Sequence, residues 1–318
     1  MQPMNPYWHA DFFETLFLLL KRGFLFFCGK IALDGLVEDD IAFFALCLVG
    51  ISSVFSGAFL VVKRTTLMIN SLSHTILLGI VVTALLLISQ GFSPFSTFGF
   101  LIAAFFTSCI TIYSTNVLVK IFRVQQEAAV GFMFTTLFGL GVLFSTLFFR
   151  NTHLGVEAIF GNLDALVVKD IPPLLAISMI NILWIFLVFG RLRTLSFDPI
   201  FSKTLGLKGA LIQSMHLFLT ALTIVGGFQS VGVVIIMAFF CLPVLIAKLF
   251  YPSLKKILFF GSIIIGFVSW VSVAFTRDIL TYHQVPVSTG ATAALLLFIV
   301  YAACGLTFLK KGARLEHL

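Results

Sequence analysis

The run GAFLVVKRTTLMINSLSHTILLG (residues 57–79) decides the fold. One apolar stretch ends at Lys63-Arg64, and a second opens within a few residues. Two apolar runs joined by a basic pair read as two membrane spans joined by a short turn, on the side where cations collect. Outward from it in both directions, runs of the roughly 20 apolar residues that cross a bilayer recur. They fall near 41–62, 71–89, 97–119, 128–148, 171–190, 210–228, 231–250, 257–275 and 288–309. The predicted class is all-α, a polytopic membrane helix bundle of about 8–10 transmembrane helices.

Composition agrees. Hydrophobic residues are 60% of the chain and charged residues 10%, against about 45–50% and about 25% in a soluble domain. So few charges cannot clothe 318 residues in water, so the bilayer is the solvent for most of the surface. The net charge of +7 reflects topology, and no nucleic-acid partner is expected. Lys63, Arg64, Lys120, Arg123, Arg191, Arg193, Lys203, Lys208, Lys248, Lys255, Lys256, Lys310, Lys311 and Arg314 all follow odd-numbered spans. Only Arg150, Lys169 and Arg277 follow even-numbered ones. The positive-inside rule then makes the crowded side, with the C-terminus, cytoplasmic.

Three regions follow: a 1–40 N-terminal extension, a 41–309 transmembrane domain and a 310–318 basic tail. Residues 12–33 are apolar but interrupted by Lys21, Arg22 and Lys30. They read as an interfacial helix with its cations among the headgroups, or as an extra span. Asp11 and Glu14 precede the first apolar stretch and no small-residue site follows it, so no cleavable signal peptide is expected. Cys28, Cys47, Cys109, Cys241 and Cys304 are widely spaced and read as small buried hydrophobes.

Several chemistries are excluded. The only Gly-Lys, Gly29-Lys30, is followed by Ile31 and has no glycine at position 24, so there is no P-loop for ATP. Neither His-Glu-x-x-His nor Gly-x-Ser-x-Gly occurs. Carboxylates inside the spans are nearly absent, which argues against a proton relay.

Five segments carry information. Asn70 and His74, spaced i, i+4, share a helix face, and His74 falls near mid-depth. Ionisable groups at that depth point to function, and imidazole suits zinc, iron and manganese. The ordinary alternative is a histidine satisfied by a neighbouring carbonyl. In SFDPIFSKTLGL (196–207), Asp198 is a good N-cap, Pro199 suits the first helical position and Gly206 stops the helix. A short amphipathic helix between two spans fits either a groove in a partner or its own membrane surface. In QSVGVVIIMAFFCLP (229–243), Gly232 and Pro243 predict a broken or kinked helix. PVSTGA (286–291) and IFGNL (159–163) are weak alone.

Taken in order, these segments resemble the zinc/manganese/iron permease family of ABC importers. That family has Gly-x-Phe-Leu-Val with two basic residues, like Gly57 to Arg64. Its Asp-Ala-x-Ser-His is similar to Asn70 to His74. It has an acid and a glycine opening a span, like Glu127 and Gly131, and a Phe-Gly-Asn like Phe160 to Asn162. Its Ser-Phe-Asp-Pro segment is similar to Ser196 to Leu207, its Val-Gly and later proline to Val231-Gly232 and Pro243, and its Pro-x-x-Thr-Gly to Pro286 to Gly290. The resemblance spans about residues 43–309. It departs at Asn70, where the family has an acid, and at Leu78, where it has a proline.

The resemblance implies a type II ABC importer-like permease in the bacterial inner (plasma) membrane, carrying a divalent metal ion (manganese, zinc or iron) as cargo, with no permanently bound cofactor and no enzyme activity of its own. It implies an ABC ATPase subunit, an extracytoplasmic metal-binding protein and a second permease subunit. His74 and Asn70, with His216 as a further candidate, would line the metal pathway. Ser196, Phe197, Asp198, Pro199, Phe201 and Gly206 would couple to the ATPase. Without its acid this chain would pair with a different permease that supplies carboxylates. The alternatives are a permease for vitamin B12 or ferric chelates, and a secondary transporter.

Overall fold

The computed structural model describes residues 5–8, 10–91, 97–148, 163 and 166–315. Eleven α-helices appear among them. They are α1 (Phe12–Phe27), α2 (Glu38–Val62), α3 (Leu67–Ser89), α4 (Thr97–Lys120), α5 (Gln126–Phe148) and α6 (Ile171–Phe197). Then come α7 (Pro199–Thr204), α8 (Gly209–Ser230), α9 (Val233–Phe250), α10 (Leu254–His283) and α11 (Thr289–Leu315). No strand occurs among the described residues. By length and hydropathy seven described segments qualify as membrane spans, and Ile235–Phe250 is a shorter apolar helix. The chain is a multi-pass membrane protein.

Each of the nine apolar runs in the sequence is a long helix, but three continue past their predicted ends by a turn or more. The 171–190 run belongs to α6, which ends at Phe197, and the 257–275 run to α10, which covers 254–283. Hydropathy marks only the part inside lipid, whereas helix hydrogen bonding continues into polar residues at no loss. Thirty residues of α10 span about 45 Å, well beyond a core of about 30 Å. Arg191 and Arg193 therefore sit on the last turns of α6, not in a loop. Residues 310–315 of the predicted basic tail continue α11. IFGNL, apart from Leu163, lies outside the described residues, as do 316–318.

Helix α2 is the hub. It packs against α6, α8, α9 and α10, and most of its length is buried. Helices α3, α4 and α5 form a second group, joined to the first through α8 and, at α3, α9. Between membrane helices the driving force is close packing, since lipid is as apolar as leucine. Small residues on α2 permit it. A Cβ on Gly57 would collide with the backbone carbonyl of Phe240 in α9, so only glycine lets these helices touch there.

Gly232 has φ 88° and separates α8 from α9. Its left-handed backbone is cheap only without a side chain. Pro243 lies inside α9, which runs on through it to Phe250.

Helix α1 is 16 residues long, about 24 Å, and packs on α10 and α2. Its start meets the end of α10, where Tyr282 hydrogen-bonds Asp11. Its second half meets the start of α2, where Arg22 reaches Asp40. Those two helix ends adjoin each other through Asp39 and Arg277.

Candidate functional site

Asn70 and His74 fall on the face of α3 that meets α5. The two helices run parallel: His74 lies against Phe134 and Phe138, and Leu78 against Gly141. The His74 ring centroid is 5.2 Å from Phe134 and 5.3 Å from Phe138. Asn70 and His74 are both half-buried, while the other polar side chains of this stretch are buried. Ser73 and Thr75 turn back to carbonyls of their own helix, as hydroxyls in membrane helices do. A cavity of about 160 Å³ opens at the basic end of this seam, lined by Lys63, Arg64, Leu67, Met68, Gln126 and Glu127. A smaller apolar one of about 40 Å³ lies beyond His74, beside Thr75, Leu78 and Gly79. Glu127 is thus the carboxylate nearest the seam's basic mouth. Among the described residues no three His, Cys, Asp or Glu side chains converge as a metal-holding group.

His216 belongs to a different seam. It is 3% exposed on α8, with Phe59 of α2 edge-on at 5.7 Å. It lies beside the Ser56 backbone, and neither ring nitrogen hydrogen-bonds a side chain. One and two turns further along α8, Thr220 and Thr223 continue its face. There the sequence reading missed a feature. Asn181 of α6 is fully buried and lies 2.8 Å from Ser52 Oγ, 2.8 Å from Ser56 Oγ and 2.9 Å from Thr223 Oγ1 through its Nδ2. Ser56 donates to Asn181 Oδ1 at 3.1 Å, and Ser178 donates to the Leu48 carbonyl. One amide therefore ties three helices. Its signal was present in the sequence: an asparagine in the middle of an apolar run, and the Ser-Ser-x-x-Ser of residues 52–56.

At the basic end of α6, Asp198 accepts hydrogen bonds from the Ile200 and Phe201 amides at 3.0 and 2.9 Å. Two of the orphan donors that open α7 are thereby satisfied. Pro199 occupies the first helical position and Gly206, at φ 67°, follows the last turn. Ser196 and Phe197 close α6 instead of joining the short helix. Phe197, Ile200, Phe201 and Leu205 are all more than half exposed. Four large apolar groups thus project from six helical residues and their flanks.

At the opposite end, charges are buried. Asp40 is 2% exposed and accepts from Tyr7 Oη at 2.5 Å, Arg22 Nε at 2.8 Å and the Val37 amide at 3.1 Å. Burial, and then the Asp40 carboxylate, push the Tyr7 phenol well above its ordinary pKa, so it stays a proton donor. Asp39 meets Arg277 at 3.6 Å and the Asn5 amide at 3.4 Å. Buried charge is tolerable only with such partners. A cavity of about 120 Å³ beside Glu38, Asp39, Arg277 and Thr289 opens at this end.

The comparisons with known proteins cover most of the chain. A probable metal transport system membrane protein of Chlamydia muridarum (strain MoPn / Nigg) is 33% identical over 298 residues, 94% of this chain and 93% of that one. The manganese transport system membrane protein MntD of Bacillus subtilis is 29% identical, over 72% of this chain and 83% of its own. The solved structure of PsaBC from Streptococcus pneumoniae in complex with Fab has the same fold, with a TM-score of 0.70 at 21% identity, covering 89% of this chain and 95% of that one. The family model described as ABC 3 transport family matches residues 40–307. With that match the chain belongs to the ABC 3 transport family.

Proposed function

We propose that this chain is the membrane-spanning permease subunit of an ATP-binding-cassette importer that passes a divalent metal ion into the cytoplasm. The family match carries the reading, and the relatives named for metal and manganese transport support the cargo. Manganese, zinc and ferrous iron all suit imidazole with oxygen ligands. Energy comes from a separate ATPase, which receives α7 in a groove. An extracytoplasmic metal-binding protein delivers the ion at the end holding Asp39 and Arg277. The ion passes the α3–α5 seam, where His74 and Asn70 offer a nitrogen and an oxygen.

A neutral Asn70 contributes no charge, and neutral ligands alone hold a divalent ion poorly away from water. The second permease therefore supplies carboxylates, and the pair is a heterodimer. The outward face of α5 supports a protein neighbour. It exposes Gly131, Thr135 and Gly139, small residues of the kind that let membrane helices approach. Beside them α5 exposes Phe132, Leu143 and Leu147, as α6 exposes Met179, Leu183 and Leu187 and α10 exposes Phe259, Ile263 and Phe267.

Purification of tagged chain from its native membranes in mild detergent, with identification of the co-purifying polypeptides, tests this reading. An ATPase and a second, different permease are expected. Phe201→Ala should weaken the ATPase association by at least about fivefold, the effect of ~1 kcal/mol at a docking residue. A chain that arrives alone even after crosslinking overturns the reading in favour of a secondary transporter.

A further inference from the structure

Helix α1 carries three distinct rows of side chains. Thr15, Leu19 and Arg22 point into the bundle, where Thr15 and Leu19 are buried. Phe13, Phe17, Leu20 and Phe24, spaced i, i+4, i+7 and i+11, form a second row and are 80%, 67%, 50% and 69% exposed. Glu14, Lys21 and Cys28, seven apart, form a third, also exposed. The third row lies between the other two on one flank of the helix, because a step of seven residues nearly closes two turns. A helix with protein on one side, four large apolar groups on another and a charged line between them matches an interfacial helix, lying in the plane of the headgroups.

Both ends of α1 reach the same end of the bundle. Asp11 meets Tyr282 at the end of α10, and Arg22 meets Asp40 and the Gly35 carbonyl at the start of α2. A span would put them on opposite sides. Between these anchors Trp270 of α10 donates to the Leu16 carbonyl at 2.9 Å. Trp270 in turn packs against Phe267, itself exposed in the apolar row Phe259, Ile263, Phe267 of α10. The exposed row of α1 thus continues the surface by which α10 meets lipid. Lys21 and Lys30 are both exposed, free to meet anionic groups.

We propose that residues 5–30 form an arm that lies in one leaflet at the end of the bundle remote from the basic turns. Its Phe13–Phe24 row sits among acyl chains and its Glu14–Lys21–Cys28 row among headgroups, while Tyr7 and Arg22 fasten it to α2. The occupant of its open face is lipid, and the arm ties the ends of α2 and α10 to the membrane surface. The inference does not depend on the cargo.

The test uses the assembled transporter in vesicles of phosphatidylethanolamine and phosphatidylglycerol. Nitroxide labels are placed one at a time at Phe13→Cys, Phe17→Cys and Phe24→Cys, in a background with the native cysteines replaced by serine. Each label is expected to relax with oxygen more than with aqueous nickel, and the three depths are expected to be similar and shallow. Nickel-dominated relaxation at all three would put the face in water. Exclusion of both agents would mean a protein cover. A depth that increases steadily from Phe13 through the midplane to Phe24 would make α1 a tenth span. Each of these overturns the proposal. An impermeant maleimide on intact cells supplies a second reading that leaves the Arg22–Asp40 anchor untouched. Glu14→Cys and native Cys28 are expected to react from the same side, and reaction of only one of them would contradict the arm.

Discussion

Two polar seams run through this apolar bundle, and they differ in how their polar groups are satisfied. In the α2–α6–α8 seam, Asn181 binds Ser52, Ser56 and Thr223 across three helices. In the α3–α5 seam, Asn70 and His74 are half-buried, and the ring of His74 faces two phenyl rings between two cavities. A buried polar group with all its partners fixes one arrangement of helices. Asn70 and His74 have no such set of partners, and they lie on the seam between the two cavities without lining either. The first seam reads as a fastener, and the second is the one proposed above as the path. His216 fits neither description, since it borders the fastener beside the Ser56 backbone yet joins none of its side-chain hydrogen bonds.

The contrast breaks most readily at His74. His74→Ala should cut metal uptake into vesicles by at least about tenfold, equivalent to ~1.4 kcal/mol of lost barrier lowering, with thermal unfolding in detergent unchanged. Equal losses of uptake and stability would make His74 a fastener too. Asn181→Val should do the reverse. It should lower stability by about 1.7 kcal/mol, the upper range for polar contacts between membrane helices, with uptake per folded molecule nearly intact. Ser56→Ala removes one partner of the same amide and should cost about 0.6 kcal/mol, measured in the same unfolding assay. His216→Phe sharpens the comparison at its smallest scale. An aromatic ring of similar shape that needs no partner should be neutral or slightly stabilising, within about 0.5 kcal/mol. A clear loss of stability or of uptake would mean that His216 has a partner in the working transporter.

Much of this was legible along the chain. The nine helices follow from apolar length, and their alternation from Lys63-Arg64, Lys120, Arg191 and the other cations that punctuate every second run. The Asp198 cap and the Gly206 stop were legible because capping involves residues two or three apart. The lengths of α6 and α10 were not, because hydropathy falls where lipid ends and the helix does not. Asn181 was passed over because its partners are 42 to 129 residues away. The charges of the N-terminal extension looked scattered, because Arg22 and Tyr7 find Asp40 only after the chain doubles back.

The sequence by itself determined that the chain lives in a bilayer, that it crosses it many times and where a short capped helix projects. These are local properties, set by transfer from water to lipid and by hydrogen bonds between near neighbours. Only the tertiary structure decided which helices touch: that α2 is the hub, that His74 and His216 lie in separate seams, and that both ends of α1 reach the same end of the bundle. In lipid every apolar helix face is equally content, so hydropathy cannot choose partners. The choice falls to a glycine that admits the Phe240 carbonyl, an amide among three hydroxyls and a carboxylate with a tyrosine and an arginine, and those matches exist only between surfaces already brought together.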